Sequence, residues 1–416
     1  MLRLACAGML CVLAGGVVAA EYRAGTDDYR EHLRRLQPGD RLLLTSGDYL
    51  QGLPLHHLSG QAGEPIVIEA ADPAAPPRFI ARPRANTVSL VNVRHVVVRH
   101  LELDGRNLPV DAVKAEGHSR YADFITLEHL HIHDHAASQQ NVGISTKCPA
   151  YGWIVRSNRI ERVGTGMYFG DSDGSDPFIG GLIEFNQITQ TLGYNLQIKH
   201  QTAPRSGAFS RRQDTVIRHN LFSKSDALPG PLARPNVLLG HGALTGAGSD
   251  ERYLVYGNVF LHNPSEALLQ AEGRVAIYDN VFINGSGDAI RIQPHNDVPR
   301  DMDIFSNTVL ASGTGIQVRR GEGTAYRQRV IANVVAAATP IGGGEAEHNL
   351  ALSYRSDWLD VAIPDLTARL LAGQPTRRLP DVLVRELADY PDWRATVKLG
   401  ATLVPSLLRN LENVPR

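Results

Sequence analysis

One short signal, an Asn followed two residues later by an apolar side chain, recurs seven times and constrains the fold more than any other feature. The Asn residues are Asn158, Asn186, Asn220, Asn258, Asn280, Asn307 and Asn333. They are separated by 28, 34, 38, 22, 27 and 26 residues, and a short apolar strand follows each signal. Such a period with loops of variable length is typical of a parallel β-helix, in which each repeat contributes one coil.

The repeated Asn residues are expected to be structural. An Asn in a turn hydrogen-bonds the backbone of its own turn and tolerates left-handed geometry. Stacked on successive coils, such side chains form a ladder that satisfies the buried polar groups of the turns. We therefore assign no catalytic role to this column.

Composition agrees with an all-β solenoid. The 416 residues would fill one long solenoid or two to three compact domains, and the solenoid is favoured because the repeats continue without a linker. The chain is 43% hydrophobic, contains 39 Gly and 24 Pro, and carries a net charge of -1. No overall field attracts nucleic acid, and the sequence contains no dinucleotide-binding Gly fingerprint, P-loop or Cys-x-x-Cys.

Residues 1–20 have the features of a secretory signal peptide: a basic Arg3, an apolar run, and small residues before an expected cleavage at Glu21. The alternative is an uncleaved membrane anchor, for which the run is short. Cleavage would leave Cys148 as the one cysteine, so no internal disulfide is expected. We expect a periplasmic or secreted bacterial monomer with no membrane span after signal removal.

The expected β-helix domain covers residues 21–350, and residues 351–416 are expected to form an irregular, partly helical C-terminal cap. Within the domain, residues 21–40 are predicted to form an N-terminal cap, a short amphipathic helix with Tyr29, Leu33 and Leu36 on one face. The end of a solenoid exposes its core, so a terminal helix of this kind is expected to cover it.

Alternation along each strand predicts which side chains share a face. The inward pairs are Ile144/Thr146, Met167/Phe169, Leu196/Ile198, Val237/Leu239, Leu268/Gln270, Ile290/Ile292 and Ile316/Val318. The outward column between them is Ser145, Tyr168, Gln197, Leu238, Leu269, Arg291 and Gln317, and a second outward column is Lys147, Gly170, Lys199, Gly240, Ala271, Gln293 and Arg319. Because adjacent coils lie about 4.8 Å apart, residues distant in sequence become neighbours in one groove.

The groove side chains suggest acid–base chemistry. Lys199 and His200 adjoin at a strand end, and Tyr168, His241 and Arg291 are their expected neighbours; these five are the predicted catalytic residues. A Lys surrounded by cations loses proton affinity and becomes a base near neutral pH. The alternative is that Lys199 and His200 are ordinary exposed residues. The predicted substrate-binding residues are Lys147, Tyr194, Gln197, Arg218, Arg234 and His295.

An acidic loop follows the strand of Tyr168. Hard cations favour several carboxylates on a flexible loop, so Asp171, Asp173 and Asp176 form a candidate calcium site. The loop does not match the full EF-hand pattern, and a solvated loop is the alternative. No other cofactor is expected.

The opening coils resemble a known family. The segments PGDRLLLTSGDYLQG, GQAGEPIVIEA and VRHVVVRHLELDG are similar to the first coils of right-handed parallel β-helix proteins of the pectate lyase-like superfamily, notably polysaccharide lyases of the chondroitinase B and alginate lyase type. The resemblance implies a single-stranded, right-handed parallel β-helix over about residues 37–350. It also implies a Lys base with a nearby Arg, sometimes with calcium. Lys199 and either Arg218 or Arg291 match by role, whereas the family's Asn-Lys-Ser motif around the Lys is absent.

The sequence thus predicts an exported protein that acts on an acidic, uronate-containing polysaccharide. A lyase is favoured, in which Lys199 takes the C5 proton and Arg291 or Arg234 neutralises the carboxylate. A uronate C5-epimerase is one alternative, because the segment PHND at 294–297 resembles a motif of periplasmic mannuronan C5-epimerases. A non-catalytic carbohydrate-binding or envelope protein is the other.

Overall fold

Short strands joined by turns make up most of the molecule. The computed structural model describes residues 19–202, 212–225, 232–321, 325–375, 379–393, 399–405 and 407. The strands are β1 (Glu21–Ala24), β2 (Arg41–Leu44), β3 (Asp48–Tyr49), β4 (Leu53–His56), β5 (Ile66–Ala70), β6 (Arg78–Ile80), β7 (Val88–Val91), β8 (Val93–Arg99), β9 (Glu102–Asp104), β10 (Val113–Ala115), β11 (Ala122–Glu128), β12 (His131–His135), β13 (Val142–Thr146), β14 (Ala150–Tyr151), β15 (Ile154–Arg156), β16 (Arg159–Val163), β17 (Thr165–Phe169), β18 (Phe178–Ile179), β19 (Leu182–Glu184), β20 (Gln187–Thr191), β21 (Leu196–Ile198), β22 (Thr215–Arg218), β23 (Leu221–Ser223), β24 (Val237–Leu239), β25 (Tyr253–Tyr256), β26 (Val259–Leu261), β27 (Leu269–Ala271), β28 (Gly273–Tyr278), β29 (Val281–Asn284), β30 (Ile290–Ile292), β31 (Pro299–Phe305), β32 (Thr308–Val318), β33 (Gln328–Ile331), β34 (Val334–Gly342), β35 (Glu345–Glu347) and β36 (Leu350–Ser353).

The strands stack into three parallel sheets that run along a solenoid. The first sheet follows the order β1-β2-β5-β8-β11-β15-β19-β22-β25-β28-β31-β33-β35, with β14 and β18 beside it. The second follows β3-β6-β9-β12-β16-β20-β23-β26-β29-β32-β34-β36, and the third follows β4-β7-β10-β13-β17-β21-β24-β27-β30-β32-β34. Each coil crosses the three sheets in turn, which is the architecture of a parallel β-helix and confirms the predicted all-β solenoid.

The interior of the solenoid is apolar because every strand sends alternate side chains inward. Equivalent side chains stack on successive coils: Phe222, Phe260 and Phe282 follow one another with ring centroids 5.2 and 4.4 Å apart. All three are fully buried. Burying one such side chain contributes about 1.5–3 kcal/mol, so the stack makes the coil spacing energetically specific.

The predicted Asn ladder is confirmed and runs one member further than the seven repeats. Each Asn donates a side-chain N–H to the side-chain oxygen of the next, over 2.9–3.0 Å, and that oxygen also accepts the donor's backbone N–H. The ladder continues from Asn333 to Asn349. It satisfies polar groups at the turn between the first and second sheets.

The N-terminal cap is only partly helical. The predicted helix over residues 21–40 is wrong at its start, where β1 pairs in parallel with β2. Helix α1 covers Tyr29–Leu33. Tyr29, Leu33 and Leu36 are buried, as the amphipathic pattern predicts, and so cover the core of the first coil.

The C-terminal segment is more helical than an irregular cap. It contains a 3-10 helix, Ser356–Asp360, and two α-helices, α2 (Ile363–Leu371) and α3 (Asp381–Leu387). Its aromatic side chains pack on the outer side of the first and second sheets, where Tyr390 contacts Tyr278 and Phe305. This position leaves the outer face of the third sheet uncovered by the helices. No helix in the described ranges is long and apolar enough to cross a membrane.

Candidate functional site

The outer face of the third sheet carries the predicted groove residues, with one error of register. Tyr168, Gln197 and Leu238 occupy equivalent outward positions on β17, β21 and β24, as predicted. On β27, however, Gln270 pairs with Leu238 and with Arg291, so Gln270 and not Leu269 points outward. The inward pair of that strand is Leu269/Ala271, and the predicted pair Leu268/Gln270 is wrong.

The corrected register changes the second outward column. Glu272, not Ala271, takes the place beside Gly240 and Gln293, because its backbone N–H donates to Leu239. From N- to C-terminus the column is Glu116, Lys147, Gly170, Lys199, Gly240, Glu272, Gln293 and Arg319. A carboxylate therefore faces the predicted catalytic residues.

Lysine is concentrated on this face. The chain contains five lysines, of which Lys114, Lys147 and Lys199 lie on the outer face of the third sheet. Lys114 is paired with Asp111 over 3.2 Å. The remaining two, with Tyr168 between them, give the face its central positive charge.

Lys147 and Tyr168 form a cation–π contact. The Lys147 ammonium lies 3.7 Å from the centre of the Tyr168 ring and 3.9 Å from a carboxylate oxygen of Asp171. Burial lowers the pKa of Lys147, and the nearby Asp171 opposes that shift. Burial also raises the pKa of Tyr168, so its phenol stays protonated at neutral pH.

Lys199 lies between two glycines of the neighbouring coils. A methyl group on Gly170 would lie 3.3 Å from Cβ of Lys199, and one on Gly240 would lie 2.2 Å from the backbone nitrogen of His200. Lys199 makes no ion pair or side-chain hydrogen bond with any other residue in the described part of the chain. A shallow pocket opens around it, lined in part by Gln197, Lys199, Leu238, Gln270 and Asn296. The ammonium is therefore available to a ligand.

The two predicted histidines meet beside this pocket, with ring centroids 5.4 Å apart. His241 Nδ1 lies 2.7 Å from the carbonyl oxygen of Gly242 and must donate to it, which leaves Nε2 of the neutral ring as an acceptor. His200 Nδ1 lies 2.5 Å from Nδ2 of Asn296, an amide nitrogen that only donates. Burial, His241 and Lys199 lower the pKa of His200, so the neutral ring is favoured.

Three predicted basic residues are placed differently from the lysines. Arg291 lies two strands beyond Leu238 and is neutralised by Glu266 and Asp288, at 2.8 and 2.6 Å. Arg234 lies over the Tyr194 ring at 6.0 Å, near the N-terminal ends of β21 and β24.

Arg218 is not brought to this face. It lies on β22 of the first sheet, where it pairs with Glu184 and with Asp392 of the C-terminal segment. One coil carries the chain across all three sheets, so nearness in sequence to Lys199 does not bring a residue to the same face. His295 is exposed on the loop after β30, beside the pocket.

The acidic loop does not gather the predicted calcium ligands. Asp171 and Asp173 accept hydrogen bonds from backbone N–H groups of their own loop. The carboxylates of Asp171, Asp173 and Asp176 do not form a group within 4.8 Å; among the residues described, the group that meets this distance is Asp104, His133 and Asp134. Asp134 in turn is held by Arg162 at 2.7 Å. Calcium binding at this loop stays a prediction.

Comparison with a family model agrees with the fold. Residues 142–330 match a family model described as a right handed beta helix region, and this part of the chain is accordingly a right-handed parallel β-helix. An alginate lyase from Paenibacillus sp. str. FPU-7 aligns with 80% of this chain and 98% of its own, at 14% identity and a TM-score of 0.39. The A-module of a mannuronan C-5 epimerase from Azotobacter vinelandii aligns with 75% of this chain and 91% of its own, at 17% identity and a TM-score of 0.44.

A third solved structure, pectate lyase Pel9A, aligns with 93% of this chain and 91% of its own, at 14% identity and a TM-score of 0.45. No curated protein sequence matches the chain. At identities of 14–17% and TM-scores below 0.5 these alignments carry no argument about the site, whose chemistry must be argued from its own residues.

Proposed function

We propose that this protein binds an acidic, uronate-containing polysaccharide along the outer face of its third sheet and cleaves it by β-elimination. The observation that carries the proposal is the Lys199 ammonium, unpaired among the described residues and open to a pocket between two glycines. An unpaired cation in such a position suits a ligand that carries its own negative charge.

The length and charge of the face suit a polymer. Lys114, Lys147 and Lys199 lie on the first, second and fourth of four consecutive coils, about 4.8 Å apart per coil, over a stretch that a short run of sugars would cover. Tyr168 and Tyr194 add rings to which sugar faces bind. Because the chain as a whole is close to neutral, with a net charge of -1, this local charge supports binding by a defined groove.

The proposed reaction assigns one proton transfer to each of two groups. Lys199 first loses a proton to solvent and then, as the free amine, takes the proton from C5 of the uronate. The electron pair of the broken C5–H bond forms the C4–C5 double bond, and the C4–O bond breaks. The leaving oxygen takes a proton from the Tyr168 phenol, which burial keeps protonated. Lys147, as a cation, offsets the charge that develops on the carboxylate.

Lys147 is the rival for the role of base, because burial lowers its pKa. Geometry favours Lys199, since Lys147 already contacts Tyr168 and Asp171 whereas Lys199 opens to the pocket. Position relative to the proton is the first requirement for a base and pKa the second. The sequence predicts Arg291 as the residue that neutralises the uronate carboxylate. This proposal gives that role to Lys147, because Arg291 is itself neutralised by two carboxylates.

The test is incubation of the purified protein with alginates, pectates and glycosaminoglycans, with a neutral glucan as control. A lyase is expected to increase the ultraviolet absorbance of unsaturated chain ends and to shorten the polymer. An NMR spectrum that shows altered uronate stereochemistry without chain cleavage would make the protein an epimerase. Binding without either change would make it a carbohydrate-binding protein, and each of these two results would overturn the lyase proposal.

Parallel reactions with added calcium and with a chelator test the acidic loop. We expect equal rates, since the three carboxylates do not converge.

Export remains a prediction from the sequence of residues 1–20. Residues 1–18 lie outside the described part of the chain. Fractionation of cells that express the full chain tests it.

A further inference from the structure

A buried carboxylate lies under the loop beside His200. Glu272 follows β27 directly and is 1% exposed. One of its oxygens accepts the backbone N–H groups of His295, Asn296 and Asp297, at 2.9, 2.7 and 3.0 Å. The other oxygen faces the backbone N–H of His241 at 3.3 Å. The carboxylate thus joins the loop after β30 to the loop after β24.

Three successive N–H groups that converge on one oxygen form an anion-binding concavity of the backbone. Here the anion is part of the protein. Because a charged group in a dry site is stable only when its hydrogen bonds are made, Glu272 and the turn 295–297 hold each other in one conformation. A Gln side chain at this position would have one acceptor oxygen instead of two. Its NH2 group would then face backbone N–H groups that Glu272 accepts, either that of His241 or those of the turn 295–297.

The held turn places Asn296 on His200. Asn296 Nδ2 lies 2.5 Å from His200 Nδ1, so Nδ1 accepts and the single proton of the neutral ring must reside on Nε2. The same imidazole hydrogen-bonds the backbone of Asp173, on the acidic loop at the opposite rim. His200 therefore links two loops.

We propose that Glu272 is a positioning residue that, through Asn296, fixes the Nε2–H tautomer of His200 and so holds the 171–176 and 294–297 loops at set positions across the pocket. This inference rests on the proposed function, because it treats that pocket as the reaction site. It assigns His200 a role in shaping the pocket, and it leaves the proton transfers to Lys199 and Tyr168.

The test follows the ring nitrogens of His200 by nitrogen NMR, with the signal identified by its loss in His200→Asn. Wild-type protein is expected to show a single Nε2–H tautomer. Glu272→Gln is expected to release the turn and to give a mixture of both tautomers. Glu184→Gln is the control, since Glu184 is also a buried carboxylate but lies on the first sheet, and it should leave the His200 signals unchanged.

A second variant keeps the inference testable if Glu272→Gln does not fold. Asn296→Asp turns the donor at His200 into an acceptor, so the ring proton is expected to move to Nδ1. Unchanged His200 signals in Glu272→Gln or in Asn296→Asp would overturn the inference. The measurement needs no substrate, so a wild-type protein with a single tautomer and no turnover would overturn only the proposed function.

Discussion

The ammonium of Lys147 lies 3.7 Å from the centre of the Tyr168 ring, so a cation and a protonated phenol share one position in the groove. Such contacts contribute about 0.5–1 kcal/mol when exposed and about 2 kcal/mol when desolvated. Ring and hydroxyl therefore have separable roles: the ring holds Lys147, and the hydroxyl is the proposed proton donor.

Two substitutions at Tyr168 separate these roles. Tyr168→Phe keeps the ring, so KM should change little while kcat falls by about 100-fold or more, the usual contribution of a general acid. Tyr168→Leu also removes the cation–π contact, and we expect KM to rise a few-fold in addition. Steady-state rates of double-bond formation measure both. Full kcat in Tyr168→Phe would exclude the phenol as the donor.

The lysines of the face are expected to differ in kinetic effect. Lys199→Gln should lower kcat by roughly 100- to 10,000-fold because it removes the base. Lys147→Gln and Lys114→Gln should mainly raise KM, with the smaller effect at Lys114, whose charge Asp111 already offsets. Circular dichroism checks that each variant is folded. If Lys147→Gln stops turnover and Lys199→Gln only raises KM, the two lysines exchange roles.

Gly240 and Gly242 form a matched pair that tests the close approach of two coils. A methyl group at Gly240 would lie 2.2 Å from the backbone nitrogen of His200, whereas at Gly242 the nearest atom is 3.9 Å away. Gly240→Ala is therefore expected to lower the melting temperature and to abolish turnover, and Gly242→Ala to do neither. Equal melting temperatures of the two variants would contradict the contact.

The repeated Asn residues were sufficient to predict the solenoid, because a ladder of this kind needs the same residue at the same turn of each coil. The last member, Asn349, follows Asn333 by only 16 residues. That distance is too short for the period of the other repeats, so the pattern did not reveal it.

Alternation predicted the outward positions on β17, β21, β24 and β30 and failed on β27. At Leu268–Leu269 both side chains are fully buried, so hydrophobicity does not distinguish inward from outward. The resulting slip of one residue placed Ala271 where Glu272 lies, and so hid the buried carboxylate of the site. Pairing with Leu238 and Arg291 across the neighbouring strands settles the register, and that information is not local in sequence.

Removal of one Asn from the middle of the ladder should cost far more stability than removal at its end. Asn258→Ala leaves the buried backbone N–H of Asn220 without its acceptor and removes the side-chain hydrogen bonds to the carbonyl groups of Ile217 and Tyr256. An unsatisfied buried donor costs about 1–3 kcal/mol and each lost hydrogen bond about 0.5–1.5 kcal/mol, so we expect a loss of about 3 kcal/mol. Asn349→Ala, at the partly exposed end, is the control with a smaller loss. Urea unfolding measures both, and similar midpoints would show that the ladder does not carry this stability.

Stability should fall as pH rises because of Asp279, in the turn between the first and second sheets. Burial raises its pKa from 3.8 to about 7, although a backbone N–H of Thr402 partly opposes the shift. The native protein therefore holds this proton more tightly than the unfolded chain does. The contribution of the protonated Asp279 carboxyl to the free energy of unfolding is complete below about pH 4 and is lost as pH rises through about 7. The loss is up to about 1.4 kcal/mol per pH unit.

Asp279→Asn cannot ionise, and Asn tolerates the left-handed backbone at this position, where φ is 52°. The free energy of unfolding of the variant, minus that of wild type, should therefore grow as pH rises from about 4 to about 7. Asp27→Asn, at an exposed carboxylate, is the control variant. Urea titrations at a series of pH values measure the slope. A flat difference for Asp279→Asn would show that the carboxyl is solvated, and that the C-terminal segment does not bury it.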